Sequence, residues 1–344
     1  MLRLKSLILG GSISALLALP AAAQEVTLTI QHFLGPKSPA HSKLVEPWAK
    51  RVEDASGGRI KFEIFPAMAL GGKPPELYRQ VRDGVVDIVW TLPGYTPGVF
   101  PRVEVFELSG IHGGSAKQTT LAIQDLMGDL ATDFADVHPL LVHTHAGNAL
   151  HLVDGPITTA DDIVGKKLRT PSRTGGWMIE SWGAEAVGMP VPALPQALSK
   201  KVVDGALVPF EIVPPLKLHE LTAASVDGPD GLRFGTAIFL FAMNKERYEG
   251  LPEDLRAIID AHSGANLAAE IGAVWDAVEE SGKKLQGGSA GGQVVQLDRA
   301  VYDALIAKAA GVTDRWIAEV SEKGIDGAAL VDAARAAMTA HAAD

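Results

Sequence analysis

An alternation of strand and helix signals along residues 26–91 constrains the fold most. VTLTIQHF (26–33) alternates and is rich in β-formers, so it reads as a strand. Leu44, Val45, Trp48 and Val52 then fall at helical spacing, and Gly57-Gly58 stops that helix. RIKFEIFP (59–66) is a second alternating strand. Pro75 opens a helix with Leu77 and Val81 inward, and VVDIVWT (85–91) is an apolar strand. The order β-α-β-α-β predicts an open parallel sheet covered by helices.

The pattern returns further on. Ile157–Ile163 reads as a short helix, with Thr159 three residues before Asp162 as its capping signal. KKLRT (166–170) is the next strand, GGWMIESWGAEAVG a helix, and PQALSKKVVDGALVPF repeats the helix-to-strand step. Val85-Val86-Asp87 recurs as Val202-Val203-Asp204, a shift of 204 − 87 = 117, which also places Leu77 on Leu194 and Val81 on Leu198. This echo predicts two lobes of shared architecture, and 344 residues suit two domains. The last third reads as helical: one helix from Pro252, a break at Ser263-Gly264, then ANLAAEIGAVWDAVEESGKKL. GGSAGG (287–292) is a turn, QVVQL a short strand, and helices follow around 299–323 and 326–341.

Composition narrows the function. A net charge of −10 supplies no basic stripe for nucleic acid. The absence of cysteine removes thiol nucleophiles, disulfides and zinc–thiolate sites together. At the N-terminus, Arg3 and Lys5 precede SLILGGSISALLALP, and Ala21-Ala22-Ala23 follows: a secretory leader with expected cleavage after Ala23. Gly10-Gly11 and Pro20 interrupt the run, which is shorter than the ~20 residues a membrane span needs.

Catalytic signals are sparse. There is no G-x-S-x-G elbow and no glycine-rich loop followed by a helix and lysine. His138, His143, His145 and His151 form the one candidate metal set, with His143 and His145 sharing a strand face, but no carboxylate stands at ligand spacing. Glu53-Asp54, Asp161-Asp162 and Glu279-Glu280 read as solvated faces. Arg169 is different. It sits near the carboxyl end of a predicted parallel strand, where open α/β sheets bind ligands. Pro171 cannot continue the strand's hydrogen bonding. A guanidinium there offers a planar fork for a carboxylate.

Several blocks together resemble the substrate-binding proteins of tripartite ATP-independent periplasmic (TRAP) transporters, the DctP type. They are GGRIKFEIFPAMALGG with VRDGVVDIVW, GYTPGVFPRVEVFEL, GKKLRTPSR, GAEAVGMPVPALPQALSKKVVDG and FLFAMNKERYEGLPEDLRAII. The resemblance implies an α/β, two-lobed periplasmic binding protein fold with hinge strands and a long lobe-spanning helix. It implies lobe I at 24–147 plus about 236–276, lobe II at 148–235 plus about 277–325, and a C-terminal helix at 326–344. It further implies capture of a small organic acid by Arg169, delivery to a small and a large membrane subunit, no cofactor and no catalysis. Two positions depart from the family pattern: Asn148 stands where many members carry a second arginine, and Val208 where a ligand-side asparagine is usual. The other pocket candidates are Trp90, His32, Phe33, Phe210 and Glu211. With one arginine and aromatic walls they favour a monocarboxylate or, if Glu211 faces the cleft and Trp90 stacks on a cation, a zwitterion. The alternatives are a binding protein of an ATP-driven importer and a secreted metal-dependent hydrolase or lyase.

Overall fold

The computed structural model describes residues 26–343. The expected leader and its cleavage site lie outside the described residues. Eleven strands follow in order: β1 Val26–His32, β2 Ile60–Phe65, β3 Ile88–Thr91, β4 Val137–Thr144, β5 Ala149–Leu152, β6 Lys167–Thr170, β7 Glu185–Gly188, β8 Gly205–Val208, β9 Ala224–Asp227, β10 Ile238–Asn244 and β11 Gln293–Gln296. They form two sheets, ordered β2-β1-β3-β10-β4 and β11-β9-β5-β8-β6-β7.

The predicted parallel core is present: β1 pairs in parallel with β2 and with β3. In the other sheet β6 pairs in parallel with β7 and β8. In the first sheet β10, arriving from far along the chain, runs antiparallel between β3 and β4. In the second, β5 runs antiparallel between β8 and β9. The orders β2-β1-β3-β10-β4 and β7-β6-β8-β5-β9 are therefore equivalent, as the Val-Val-Asp echo predicts. The echo has a physical reason. Asp87 Oδ2 accepts the backbone N–H of Thr29 at 2.8 Å, and Asp204 Oδ2 accepts that of Lys167 at 2.8 Å. In each lobe the aspartate ties the third strand of the unit to the first. The first valine of the triplet is not in a strand: Val85 and Val202 are 69% and 50% exposed, and β3 begins only at Ile88.

Other boundaries shift for local reasons. Residues 157–163 form turns, not a helix. There the Asp162 carboxylate accepts the N–H groups of Thr158 and Thr159 at 2.7 and 2.8 Å, which closes a loop. Those bonds hold its pKa down at about 2. The helix expected through Gly188 stops at Ser181; Gly183 adopts a φ of +82°, and Glu185–Gly188 becomes β7. The helix expected at 299–323 is two, Arg299–Lys308 and Gly311–Ser321.

The helix Ala265–Gly288 ties the two lobes together. It packs on the helix Ala116–Asp125 and β4 of the first lobe, and on the turn Phe210–Ile212 and β11 of the second. At Gly282 its backbone lies so close to that turn that an added Cβ would stand 1.9 Å from the Phe210 carbonyl oxygen. The chain crosses between sheets at 145–148 and again at 228–237.

Candidate functional site

The carboxyl ends of β1 and β3 face that of β6 across a cavity lined by both lobes. Phe33 and Leu34 enter it just after β1, Trp90, Leu92 and Tyr95 from β3 and the turn after it, and Ala237 and Phe239 from β10. The second lobe contributes Arg169 and Pro171 from the end of β6, Val191, and Val208, Pro209, Glu211 and Ile212 from the end of β8. His145 and Asn148 enter from the crossing segment. The two lobes also touch beside the cavity: Val191 donates its N–H to the Tyr95 hydroxyl at 2.9 Å, and Gly94 lies against Pro171 and Ser172.

Arg169 is 2% exposed. Its Nε donates to the Met189 carbonyl at 3.0 Å and its Nη1 to the Leu207 carbonyl at 3.3 Å. Nη2 is buried without a hydrogen-bond partner. The Tyr95 hydroxyl is its side-chain neighbour, and burial pushes the guanidinium pKa down. No carboxylate among the described residues pairs with it. A buried cation without a counter-ion is unfavourable unless something else supplies the negative charge. The lobe-I counterpart of Arg169 in the strand register is Gln31, whose amide is spent on Gln80 at 2.7 Å and on the Leu70 N–H at 2.7 Å. Only the second lobe offers a spare cationic donor at this level.

The apolar wall is built on Trp90. Phe33 stacks on it at 4.9 Å and 25°, and Phe239 at 4.5 Å and 15°. Trp90 Nε1 donates to His143 Nε2 at 3.0 Å, so the indole is held by two stacked rings and one hydrogen bond.

Of the residues singled out in the sequence, Arg169, Trp90, Phe33, Asn148 and Glu211 line this one cavity. His32 and Phe210 do not. His32 Nε2 meets His41 Nδ1 at 2.9 Å in the lobe-I core. Phe210 is buried behind the wall, beneath the Arg233 and Lys283 side chains and against the edge of His151. His32 ends β1 and points to the core side of the sheet, while Phe210 opens the 3₁₀ turn 210–212, whose successive side chains point in different directions. Val208, at the second departure from the family pattern, also lines the cavity. Arg173 is spent elsewhere, on Glu104 at 2.6 Å and on Glu319 at 2.5 Å. Sequence reasoning missed Tyr95, His145, Val191 and Phe239. Phe239 lies in the unbroken apolar run of β10, where no alternation shows which side chain faces the gap.

The histidines do not gather. His143 pairs with Trp90, His151 Nδ1 with Ser225 at 2.7 Å, and His138 stacks on Tyr248 at 3.4 Å. Among the described residues no three histidine or carboxylate side chains converge as metal ligands. Glu279 corrects a further expectation. It is 4% exposed, not solvated, and its carboxylate accepts the N–H groups of Glu211 at 2.9 Å and Phe210 at 3.3 Å, with Arg233 at 3.3 Å.

Buried titratable groups set a pH window for stability. Burial pushes Glu211 up to about 8, Glu107 and Glu279 to about 7 and Asp133 to about 6. A carboxyl raised in this way stabilises the fold fully below its unfolded value, and the effect is lost as pH rises through the folded value. Burial also lowers His32, His143 and His151 to about 3, His112 to about 4, and His145 well below its ordinary value. Their contribution is full above 6.5 and is lost as pH falls. Below 6.5 the five histidines outweigh the four carboxyls; above 7 only the carboxyls act. The melting temperature is expected to peak at about pH 6–7 and to fall on both sides. A scan by calorimetry checks this, and a monotonic rise to pH 9 contradicts it.

A cavity closed by two α/β lobes, with an unpartnered buried guanidinium and an aromatic wall, defines a binder of small organic anions. The chain belongs to the bacterial extracellular solute-binding protein family 7, the DctP family, whose model matches residues 30–319. Among solved structures it is similar to a TRAP solute-binding protein from a marine metagenome, an unidentified microbe. That protein is described as specific for aromatic acid ligands and was crystallised with 3-hydroxybenzoate; identity is 42%, TM-score 0.89, and the match covers 92% of this chain and 99% of that one. A TRAP solute-binding protein of Rhodoferax ferrireducens T118 with copurified benzoate is 40% identical, with TM-score 0.89 and coverage of 92% and 98%. Among curated relatives, the outer membrane transporter protein TsaT of Comamonas testosteroni is 25% identical over 332 residues, 95% of this chain and 96% of that protein. The TRAP assignment implied by the sequence blocks stands, as does the two-lobed fold. No helix among the described residues is long and apolar enough to cross a membrane.

Proposed function

We propose that this protein captures a small aromatic monocarboxylate in the periplasm, after cleavage of its leader behind Ala23, and hands it to the small and large membrane subunits of a TRAP transporter. It performs no chemistry on the ligand. The observation that carries this reading is the free Nη2 of Arg169, a buried donor on a cation with no internal counter-charge. A ligand carboxylate supplies that charge and accepts from Nη2. The ring then lies against Phe33, Phe239 and the apolar side chains of Leu92, Val191, Val208 and Ile212.

The lining of aromatic and aliphatic side chains suits the ring of an aromatic acid. A zwitterion fits less well: Glu211 is held neutral by burial and so offers a ligand cation no counter-charge. Two solved relatives at 40% identity or more, one with benzoate and one with 3-hydroxybenzoate bound, support the aromatic class. Both lobes line the cavity, so the ligand favours the closed arrangement, with the hinge at 145–148 and 228–237.

The test is a thermal-shift titration of the exported protein with benzoate, succinate and ectoine. Benzoate is expected to raise the melting temperature with concentration, by about 2.7 kcal/mol of stability at a hundredfold excess over Kd. A shift with succinate or ectoine and none with benzoate rejects the aromatic reading.

A further inference from the structure

An acid group on Arg169 and a ring against the aromatic wall leave two polar residues of the cavity without a role. Glu211 is 5% exposed and its Oε2 has no hydrogen-bond partner; Asn148 is 4% exposed and its Oδ1 has none. Both residues line the same cavity as Arg169. A buried polar atom left unpaired is costly enough that it points to a missing partner.

The backbone that carries each residue is held in place. The Glu211 N–H donates to Glu279 Oε1 at 2.9 Å, and the Phe210 N–H before it donates to Oε2 at 3.3 Å. Glu279 belongs to the long helix, whose Gly282 lies against the Phe210 carbonyl. The turn that carries Glu211 is thus clamped from behind. Asn148 is held by its N–H to the Gly235 carbonyl at 2.8 Å and by Nδ2 to the Phe234 carbonyl at 3.4 Å. The amide orientation follows from that second bond, and it leaves Oδ1 as the spare atom.

The chemistry of the pair is complementary. Burial and the neighbouring Glu279 keep the Glu211 carboxyl protonated at neutral pH, with a pKa of about 8. A protonated carboxyl donates, and an amide oxygen accepts. Glu211 stands on the turn after β8 and Asn148 on the crossing segment, whereas Arg169 stands on β6. A second carboxylate on the ligand would find an acceptor at Asn148, and a cation would find a neutral acid at Glu211. A hydroxyl satisfies both, because it accepts and donates.

We propose that Glu211 and Asn148 form a second polar subsite that receives a hydroxyl group on the ring of the bound acid, with Glu211 as donor and Asn148 as acceptor. The class of ligand is therefore a hydroxylated aromatic monocarboxylate. This rests on the aromatic-acid reading of the cavity and deepens it.

Calorimetric titration of the exported protein at pH 6.5 with benzoate and the 2-, 3- and 4-hydroxybenzoates tests it. At least one hydroxybenzoate is expected to bind about tenfold or more tighter than benzoate. In Glu211→Leu that advantage is expected to shrink to within about threefold, and likewise in Asn148→Leu; Glu211→Gln, which keeps a donor in place, retains most of it. Equal affinity of the wild type for benzoate and all three isomers overturns the proposal, as does an advantage that survives in both leucine variants. Asn148→Leu decides the matter if Glu211→Leu does not fold. Benzoate binding without any hydroxyl preference removes only the subsite, whereas binding of none of the four acids removes the aromatic reading itself.

Discussion

Arg169→Met is expected to weaken benzoate binding at least about a hundredfold while leaving the unliganded protein folded and close to its original stability. Truncating one side of a buried, hydrogen-bonded charge pair costs ~2–5 kcal/mol of binding, and most tolerance arises where water can enter. Here the guanidinium is 2% exposed, so water does not substitute for it. The stability side is a balance. The Met189 and Leu207 carbonyls lose their donors, at about 1 kcal/mol each. Against that, the fold no longer holds an unpaired cation in its interior, and replacing buried ions by apolar side chains is often neutral or stabilising by about 1–4 kcal/mol. Chemical denaturation and benzoate titration of the same sample measure both quantities. A loss of several kcal/mol in stability would make Arg169 a structural residue that braces β6 against β8.

Trp90→Ala carries the largest expected cost to the fold. Large-to-small changes of buried aromatics cost about 3–5 kcal/mol. Trp90 is 1% exposed, stacks with two rings and holds His143 Nε2 through its indole N–H. At roughly 2–4 °C per kcal/mol for chains somewhat smaller than this one, the melting temperature should drop by about 6 °C or more. Benzoate affinity should fall with it, because Phe33 and Phe239 lose the ring on which both stack. Trp90→Phe separates the two contributions. It keeps a ring against the phenylalanines and removes the bond to His143, for a smaller loss of about 1–3 kcal/mol. If Trp90→Ala leaves both melting temperature and affinity unchanged, the wall is not organised around this residue.

Much of this was legible in the chain. The period-2 strands and the 3.6-period helices between them gave the parallel cores, because each needs one apolar face or stripe toward a shared interior. The Val-Val-Asp echo was legible because the aspartate performs the same task in both lobes. Arg169 could be found because Pro171 ends its strand at the edge where such sheets bind ligands. What was hidden was of two kinds. Non-local pairing was one: β10 reads as a uniform apolar run, and nothing local says that it inserts between β3 and β4. Hence Phe239 and its neighbours went unseen. The other was burial of polar groups. Glu279 sits at a position that reads as solvated, yet it faces inward because two backbone N–H groups of the turn 210–211 require an acceptor there. His32 and Phe210 were placed near the cavity by sequence distance alone; the pleat of β1 turned the first to the core and the 3₁₀ turn 210–212 the second.

The account depends on a charge: the ligand's acid group completes a cation that the protein leaves unmatched. Side-by-side calorimetric titrations with benzoate and benzamide, which share shape and ring but differ in charge, read this directly. The account predicts that benzoate binds and that benzamide binds at least about a hundredfold more weakly, since an amide brings no counter-charge to the buried guanidinium. Comparable affinities for the two would contradict it.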